Sequence, residues 1–299
     1  MLEAAKTAHE ATLRYIRTPI GKLATRLHSY FALIGDSSAV SLVNAAQRAY
    51  AMPLVAARAD LASLPMLSAA ASFKCGGRSG PHSYIDIAAG PLAIKDVADI
   101  YPYPNSLRVV KVDGAVLREW LERSVSIFHR IDAGQRGEQP LLGAAFAVYN
   151  FDVIDGVKYT IDITEPARYD ESGALVAPRA HRICDLTLKG APVDPNQPFL
   201  VVTNNYRASG GGFPGYDGTS VVIEAPDANR DMLLEYVGSK TEIAPKSNGA
   251  WRFAPWPSVV VATYLTSPAA SDLPAPLGLK LTPMGLARGG FSKLGVDTA

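Results

Sequence analysis

Two glycine-rich loops carry the residues of this sequence best suited to holding a ligand. One runs Lys74-Cys75-Gly76-Gly77-Arg78-Ser79-Gly80-Pro81, the other Asn204-Asn205-Tyr206-Arg207-Ala208-Ser209-Gly210-Gly211-Gly212-Phe213. Between them in the chain lies Ile100-Tyr101-Pro102-Tyr103-Pro104-Asn105, where two prolines stiffen the backbone around Tyr103. A flat ligand with polar edges, such as a nucleobase, is held by aromatic faces on either side and by amides at its rim. Tyr103, Phe213, Asn105, Asn204 and Asn205 supply that inventory. Core aromatics beside tight turns would have the same composition, so composition alone leaves both readings open.

Other chemistries find less support. The five histidines, His9, His28, His82, His129 and His181, stand singly, with no His-Glu-x-x-His or Asn-His-Glu to gather a hydrolytic metal. No Gly-x-Ser-x-Gly provides a serine-hydrolase elbow. Gly210-Gly211-Gly212-Phe213-Pro214-Gly215 satisfies Gly-x-Gly-x-x-Gly in letter, but a dinucleotide fingerprint must open a helix. Here Pro214, Gly215 and Asp217-Gly218 lead into the β-branched Val221-Val222-Ile223, so the loop joins strands. Cys75 and Cys184 show neither metal-ligand spacing nor a disulfide framework; they read as buried or half-buried thiols, with any pairing between them left open.

With 29 Lys and Arg against 28 Asp and Glu, the 299-residue chain has a net charge of +1 and no block of like charges. Duplex nucleic acid and anionic lipid both call for basic residues gathered on one face, so neither is an expected partner. The longest apolar stretches, such as Pro257 to Leu265, fall well short of the roughly 18 to 20 residues that span a bilayer. Charged residues in Met-Leu-Glu-Ala-Ala-Lys-Thr-Ala-His-Glu stand where a signal peptide would be apolar, so no export signal is expected within this stretch.

The elements that must position the loops can be read from periodicity. Helices are expected over Leu2 to about Thr18, from Asp36 or Ser37 as N-cap through Tyr50, and from Asp113-Gly114 through Phe128. The last is the clearest, since Leu117, Trp120, Leu121, Ser124, Val125 and Phe128 form one stripe. Met66 to Phe73 is a short run of small and apolar residues, and Ser106 to Val112 reads as a strand. Tyr149, Phe151 and Val153 alternate up to Asp155-Gly156, and Val157, Tyr159, Ile161 and Ile163 alternate after it, which predicts a hairpin with a type I′ turn. Ile183 to Leu188, Phe199 to Thr203 and Ser220 to Glu224 are further strands, and Asp227 is placed to cap a short helix through Tyr236. Strands in groups with helices between them predict an α+β fold of mixed sheets and packed helices. The expected organisation is helical elements over 1–58, the main domain over 59–266 and a Pro/Gly-rich, wrapping, partly mobile tail over 267–299, with no internal repeat.

At these same residues the sequence resembles the C-terminal domain of the 5′-nucleotidase superfamily, in particular the bacterial 2′,3′-cyclic-nucleotide 2′-phosphodiesterase/3′-nucleotidase branch. The resemblance is carried by Gly35-Asp36-Ser37 with Leu42-Val43-Asn44-Ala45-Ala46-Gln47, by Phe73 to Pro81, by Asp96 to Asn105, by Thr203 to Ala208 with its glycines, and by Trp251-Arg252-Phe253. It implies a substrate-binding domain behind a helical linker, working in cis with an N-terminal metallophosphoesterase domain that holds two divalent metal ions. No cofactor is expected in this chain, which is expected to be inactive alone and exported to the periplasm or cell surface. The implied partners are nucleosides, 3′-nucleotides and 2′,3′-cyclic nucleotides, with neither duplex nucleic acid nor membrane. By position in the motifs, Tyr103 and Phe213 are similar to the two rings that sandwich the base, with Tyr216 a more distant candidate. Arg78 matches a loop position near phosphate or ribose. Asn105, Asn204, Asn205, Gly211 and Gly212 are implied contacts or loop anchors, and Asp217 a ribose contact by looser analogy. A free-standing nucleoside-binding or interaction module is the competing reading, and a degenerate domain with a closed pocket the third.

Overall fold

Five strands, most of them alternating between two buried faces, form the central sheet of the computed structural model, which describes residues 2–143, 147–210, 212–213 and 218–298. Their order is Val221–Ala228, Ser106–Asp113, Pro198–Asn204, Met66–Ala71 and Asp152–Asp155. Neighbours run antiparallel except Pro198–Asn204 and Met66–Ala71, which are parallel with Val201 beside Leu67. Because successive side chains point to opposite faces, Leu107, Val109, Leu200 and Val202 pack with Ala51, Val55 and Met232, under the helices Ser38–Ala56 and Asn229–Gly238. Val110, Val112, Phe199 and Val201 join the other face with Leu117, Trp120 and Leu121 of the helix Gly114–Ser124. Helices on both faces of a mixed sheet make this the expected α+β fold.

Two further sheets flank this layer. One has the order Ala191–Pro192, Ile183–Leu188, Lys158–Ile161, Trp251–Phe253, and its aromatic residues interlock with Phe128 and Phe151 at centroid separations of 5.1 to 5.3 Å. The other has the order Leu279–Leu286, Ser292–Thr298, Val261–Thr266, Glu138–Pro140. Near the start of the chain, the exposed helix Leu2–Ile16 gives way to the strand Pro19–Leu23, paired with Gly90–Ala93, and to Leu27–His28, paired with Asp86–Ile87. The first 58 residues are therefore not helical throughout, since Pro19 cannot continue the helix before it.

Four local expectations give way to tertiary contacts. The alternating segments around Asp155-Gly156 do form strands, but in different sheets: Asp152–Asp155 pairs with Met66–Ala71, and Lys158–Ile161 pairs with Ile183–Leu188 and Trp251–Phe253. A type I′ turn needs positive φ at both central residues, whereas only Gly156 has one, at 104°. Asp227 lies within the strand Val221–Ala228 and accepts a hydrogen bond from the Tyr50 hydroxyl, while Ala228 occupies the cap position of the helix that follows. Asp36 serves the far end of the chain, accepting from Ser247 Oγ at 2.9 Å and from Ala250 N at 3.0 Å, and leaves Ser37 as an N-cap without a side-chain bond. Within the tail, Leu279–Leu286 and Ser292–Thr298 pair as an antiparallel hairpin whose second strand adds to Val261–Thr266. Most of its first strand faces solvent, so it lacks the apolar alternation by which a strand is read.

Candidate functional site

The carboxyl end of Pro198–Asn204 turns directly into the one-turn helix Asn205–Ala208. Asn204 caps that turn, its Oδ1 accepting from Arg207 N at 2.9 Å, and Asn205 Oδ1 accepts from Ser106 N at 3.1 Å on the neighbouring strand. Ser106 in turn opens the strand that follows the Tyr101–Asn105 segment. The buried Tyr101 hydroxyl receives Asn229 Nδ2 at 2.8 Å and Asn105 Nδ2 at 3.5 Å, and Asn229 N donates to the Asn105 carbonyl at 2.8 Å. Burial pushes the Tyr101 pKa up against these amide hydrogen bonds, so the phenol stays protonated. The asparagine side chains thus fix two loops relative to each other, the anchoring role that asparagine commonly takes in turns.

Between those loops opens a cavity of about 240 Å³. It is lined by the rings of Phe73, Tyr103, Tyr149 and Tyr206, by Asn105 and Asn204, and by Ala71, Asp152 and Arg207. Tyr103 is 44% exposed and Tyr206 51% exposed, so both rings have face or edge free for a ligand. Phe73 braces Tyr103 edge-to-face at 5.0 Å and Tyr101 in the same way at 4.9 Å. A cavity lined by exposed aromatic rings and amides has the chemistry to accommodate a flat ring with polar edges.

Phe213 is placed elsewhere. It is 5% exposed, does not line this cavity, and sits 3.7 Å beneath the Arg207 guanidinium and 6.3 Å from Trp120. Arg207 pairs through Nε with Asp152 Oδ2 at 2.7 Å, and Trp120 Nε1 donates to the same oxygen at 2.8 Å. The Arg207 Nη2 also donates to Asn150 Oδ1 at 3.1 Å and to the Tyr149 carbonyl at 3.3 Å. Burial pushes the Asp152 carboxyl up, and Arg207 and Trp120 pull it back down. The expected partner of Tyr103 is therefore a core residue, and Tyr206 occupies the exposed place. The helical turn decides this: Arg207 and Ala208 face inward and are buried, which turns Tyr206 outward. The capping Asn204 and the few helical residues after it are the signal from which this division could have been read.

The remaining sequence candidates disperse. Arg78 is exposed on the 3₁₀ turn Gly77–Ser79 and lines a second cavity, of about 430 Å³, that shares Phe73, Tyr103 and Tyr149 with the first. Gly76, Gly77 and Gly80 in its loop all have positive φ, which only glycine adopts freely. Gly212, with φ of 76°, offers its carbonyl to Arg123 Nε at 3.2 Å rather than to the cavity. Gly211, Asp217 and Tyr216 lie outside the described residues. Cys75 is buried and Cys184 half-buried, both as free thiols, and burial pushes the Cys75 thiol up to about 12. Among the described residues no group of three or more His, Cys, Asp or Glu could hold a metal ion, so the donors present here do not fit a dimetal centre. No helix among them is long and apolar enough to cross a membrane.

Residues 19–217 match the family model described as 5′-nucleotidase, C-terminal domain. The chain belongs to this family. Relatives within reach of sequence comparison include the 2′,3′-cyclic-nucleotide 2′-phosphodiesterase/3′-nucleotidases of Salmonella typhimurium, 46% identical over 84% of this chain, and of Haemophilus influenzae, 44% identical over 84%. The chain spans about 40% of the length of each. Among solved structures, a putative 5′-nucleotidase from Staphylococcus aureus matches 83% of this chain and 43% of its own at 20% identity, with a TM-score of 0.61. A 5′-nucleotidase precursor from Thermus thermophilus matches 85% and 43% at 16% identity, with a TM-score of 0.62. At such identities these two establish the shared fold. All residues lining the 240 Å³ cavity fall inside the segment that matches the 5′-nucleotidase C-terminal domain.

Proposed function

We propose that this 5′-nucleotidase C-terminal domain is the nucleotide-recognition part of a phosphoester hydrolase acting on 2′,3′-cyclic nucleotides and 3′-nucleotides. The base enters the cavity of Tyr103 and Tyr206, with Asn105 and Asn204 at its polar edge. The observation that carries this reading is the open cavity itself, walled by exposed aromatic side chains on loops that amide hydrogen bonds hold in place. Such a cavity also argues against a degenerate domain. The names of the relatives support the choice of substrate class.

In this reading hydrolysis belongs to a metallophosphoesterase domain in cis with two divalent metal ions, at the periplasm or cell surface, and this chain binds and orients. Among the described residues no group of three or more His, Cys, Asp or Glu could hold a metal ion in its place. Stacking contributes about 1 to 3 kcal/mol per base, and about 4 kcal/mol corresponds to millimolar affinity, so the isolated domain should bind nucleosides weakly. The test is an NMR titration of the purified chain with adenosine. Shifts should saturate in the millimolar range and centre on Tyr103, Asn105 and Tyr206, and Tyr103→Ala should weaken binding by about fivefold or more. A titration without shifts at these residues, or a Tyr103→Ala variant that binds as before, would refute the assignment. The purified chain should also show no metal-dependent release of phosphate from 2′,3′-cyclic AMP.

A further inference from the structure

Residues 162–182 join the strand Lys158–Ile161 to Ile183–Leu188 with no helix or ladder of their own beyond an isolated bridge from Tyr169 to Leu175. Compact domains seldom keep so long an open segment without a use for it. One face of the helix Gly114–Ser124 pins it, for Glu119, Glu122 and Arg123 are neighbours on the helix surface. Glu119 accepts from Arg168 Nε at 2.9 Å and from the Tyr169 hydroxyl. The buried Glu122 carboxylate accepts from Arg182 N and Ile183 N, both at 3.0 Å. Between these anchors the segment ends in a tight turn, where Asp170 Oδ1 accepts from Ser172 N and Ala174 N, each at 2.9 Å, and Gly173 has a φ of 93°. That tip meets the second glycine-rich loop. Arg123 bridges the two, donating from Nη2 to the Glu171 carbonyl at 2.9 Å and from Nε to the Gly212 carbonyl at 3.2 Å. The fit is close: a Cβ on Gly173 would stand 2.7 Å from the same Gly212 oxygen and 3.2 Å from Arg123 Nε.

We propose that Arg123 and the tip at Gly173 are positioning elements for the loop that carries Tyr206. This rests on the nucleoside reading of the 240 Å³ cavity. Neither residue lines that cavity, so both act through the loop and not on the ligand. After Tyr206 the chain passes through Ser209 and three consecutive glycines. Glycine leaves the backbone its widest choice of conformations and offers no side chain to pack, so the shape of such a turn is set by what its backbone groups bond to. Gly212 is held from outside by Arg123. Within the turn, Phe213 N donates to the Gly210 carbonyl at 3.0 Å and Gly210 N to the Arg207 carbonyl at 3.2 Å. These bonds carry the placement of Gly212 back to the Asn205–Ala208 turn, and so to Tyr206, without involving the Phe213 ring. Arg123 is itself buried, and a buried guanidinium must keep its acceptors, which fixes the spacing of the two carbonyls it joins. A planar fork serves two acceptors in set directions, which a lysine ammonium does not.

The test is a matched pair of substitutions in the full chain. Gly173 and Gly190 have φ of 93° and 86°, so alanine strains the backbone alike at both, but a Cβ on Gly190 meets nothing within 4 Å. Gly173→Ala should weaken adenosine binding by about threefold to tenfold, a part of what stacking one base supplies. It should also shift the amide NMR signals of Tyr206 and Arg207 before any ligand is added. Gly190→Ala should change neither, and circular dichroism checks that both variants are folded. Arg123→Lys keeps the charge and loses the fork, so it should weaken adenosine binding by a similar factor, and it decides the matter if Gly173→Ala does not fold. A folded Gly173→Ala or Arg123→Lys chain with unchanged affinity and an unshifted Tyr206 amide would overturn the proposal. So would an equal loss of affinity in Gly190→Ala, which would make backbone strain the cause. Absence of adenosine binding by the unmodified chain would instead overturn the nucleoside reading, and the ligand-free Tyr206 shift would still decide whether the tip sets the loop.

Discussion

The open cavity and the cluster beneath it are made from similar residues, yet they do opposite things. Both contain aromatic rings, and both touch Arg207 and Asp152. In the cavity, Tyr103 and Tyr206 are about half exposed; Tyr103 leans on Phe73, and amide hydrogen bonds hold the loops that carry both rings. In the cluster, Phe213 is almost wholly buried and its ring is covered by the Arg207 guanidinium, which is itself paired with Asp152. The difference lies in which groups are already satisfied. Phe213 spends its ring face on a cation inside the protein, whereas Tyr206 keeps most of its surface for solvent or ligand. Residue type therefore sorts candidates into those that could hold a base, and burial separates those open to a ligand from those that support the loop.

The sharpest way to break this contrast is to remove the buried cation. Arg207→Ala leaves Asp152 unpaired at nearly complete burial, so it should cost about 3 to 5 kcal/mol of stability by urea denaturation and loosen the Asn205–Ala208 turn. Next, Phe213→Ala should cost about 3 kcal/mol, as deletion of a buried ring does, while adenosine affinity of the folded fraction stays unchanged. A Phe213→Ala chain of normal stability that no longer binds adenosine would restore Phe213 to the binding site and dissolve the contrast. Tyr206→Ala should show the reverse pattern. Its melting temperature should hardly move, as expected for an exposed position, and adenosine should bind about 1 to 3 kcal/mol more weakly.

Much of this arrangement was legible in the sequence. The strand Ser106–Asp113 was readable from its alternation, Ile183–Leu188 and Pro198–Asn204 as short runs between turn residues, and the stripe through Leu117, Trp120 and Leu121 marked the buried face of its helix. Both loops were visible from their glycines and amides. Three features were not. Asp155-Gly156 has the composition of a hairpin turn, but sheet partners supplied from far along the chain, Met66–Ala71 on one side and Trp251–Phe253 on the other, pull its two strands apart. The C-terminal hairpin is largely solvent-facing, so pairing and not burial defines it. The choice between Phe213 and Tyr206 turns on the direction in which a single helical turn points Tyr206 and on the buried guanidinium that covers Phe213, neither of which composition encodes.

The contrast between buried and open charge extends to Asp86, in the strand pair neighbouring the Lys74 loop. There Asp86 accepts from Arg26 Nε at 2.6 Å, from Arg26 Nη2 at 2.8 Å and from the Tyr30 hydroxyl at 2.8 Å. Next to Tyr30, Ser29 Oγ donates to the Lys74 carbonyl and accepts from Ile85 N, tying this cluster to the loop. The hydrogen bond from Arg26 holds the Asp86 carboxyl below the ordinary value of 3.8. A carboxyl whose pKa is depressed by folding stabilises the protein above its unfolded value and loses that contribution as pH falls through the folded one. Both partners are more than a third exposed, so solvent screening keeps the contribution to about 1 kcal/mol or less. Asp86→Asn should therefore lower stability slightly at pH 7, with a difference from the unmodified chain that shrinks once the pH drops below about 4. A difference of the size expected for Arg207→Ala, or one that persists unchanged in acid, would mean that exposure does not separate the two ion pairs.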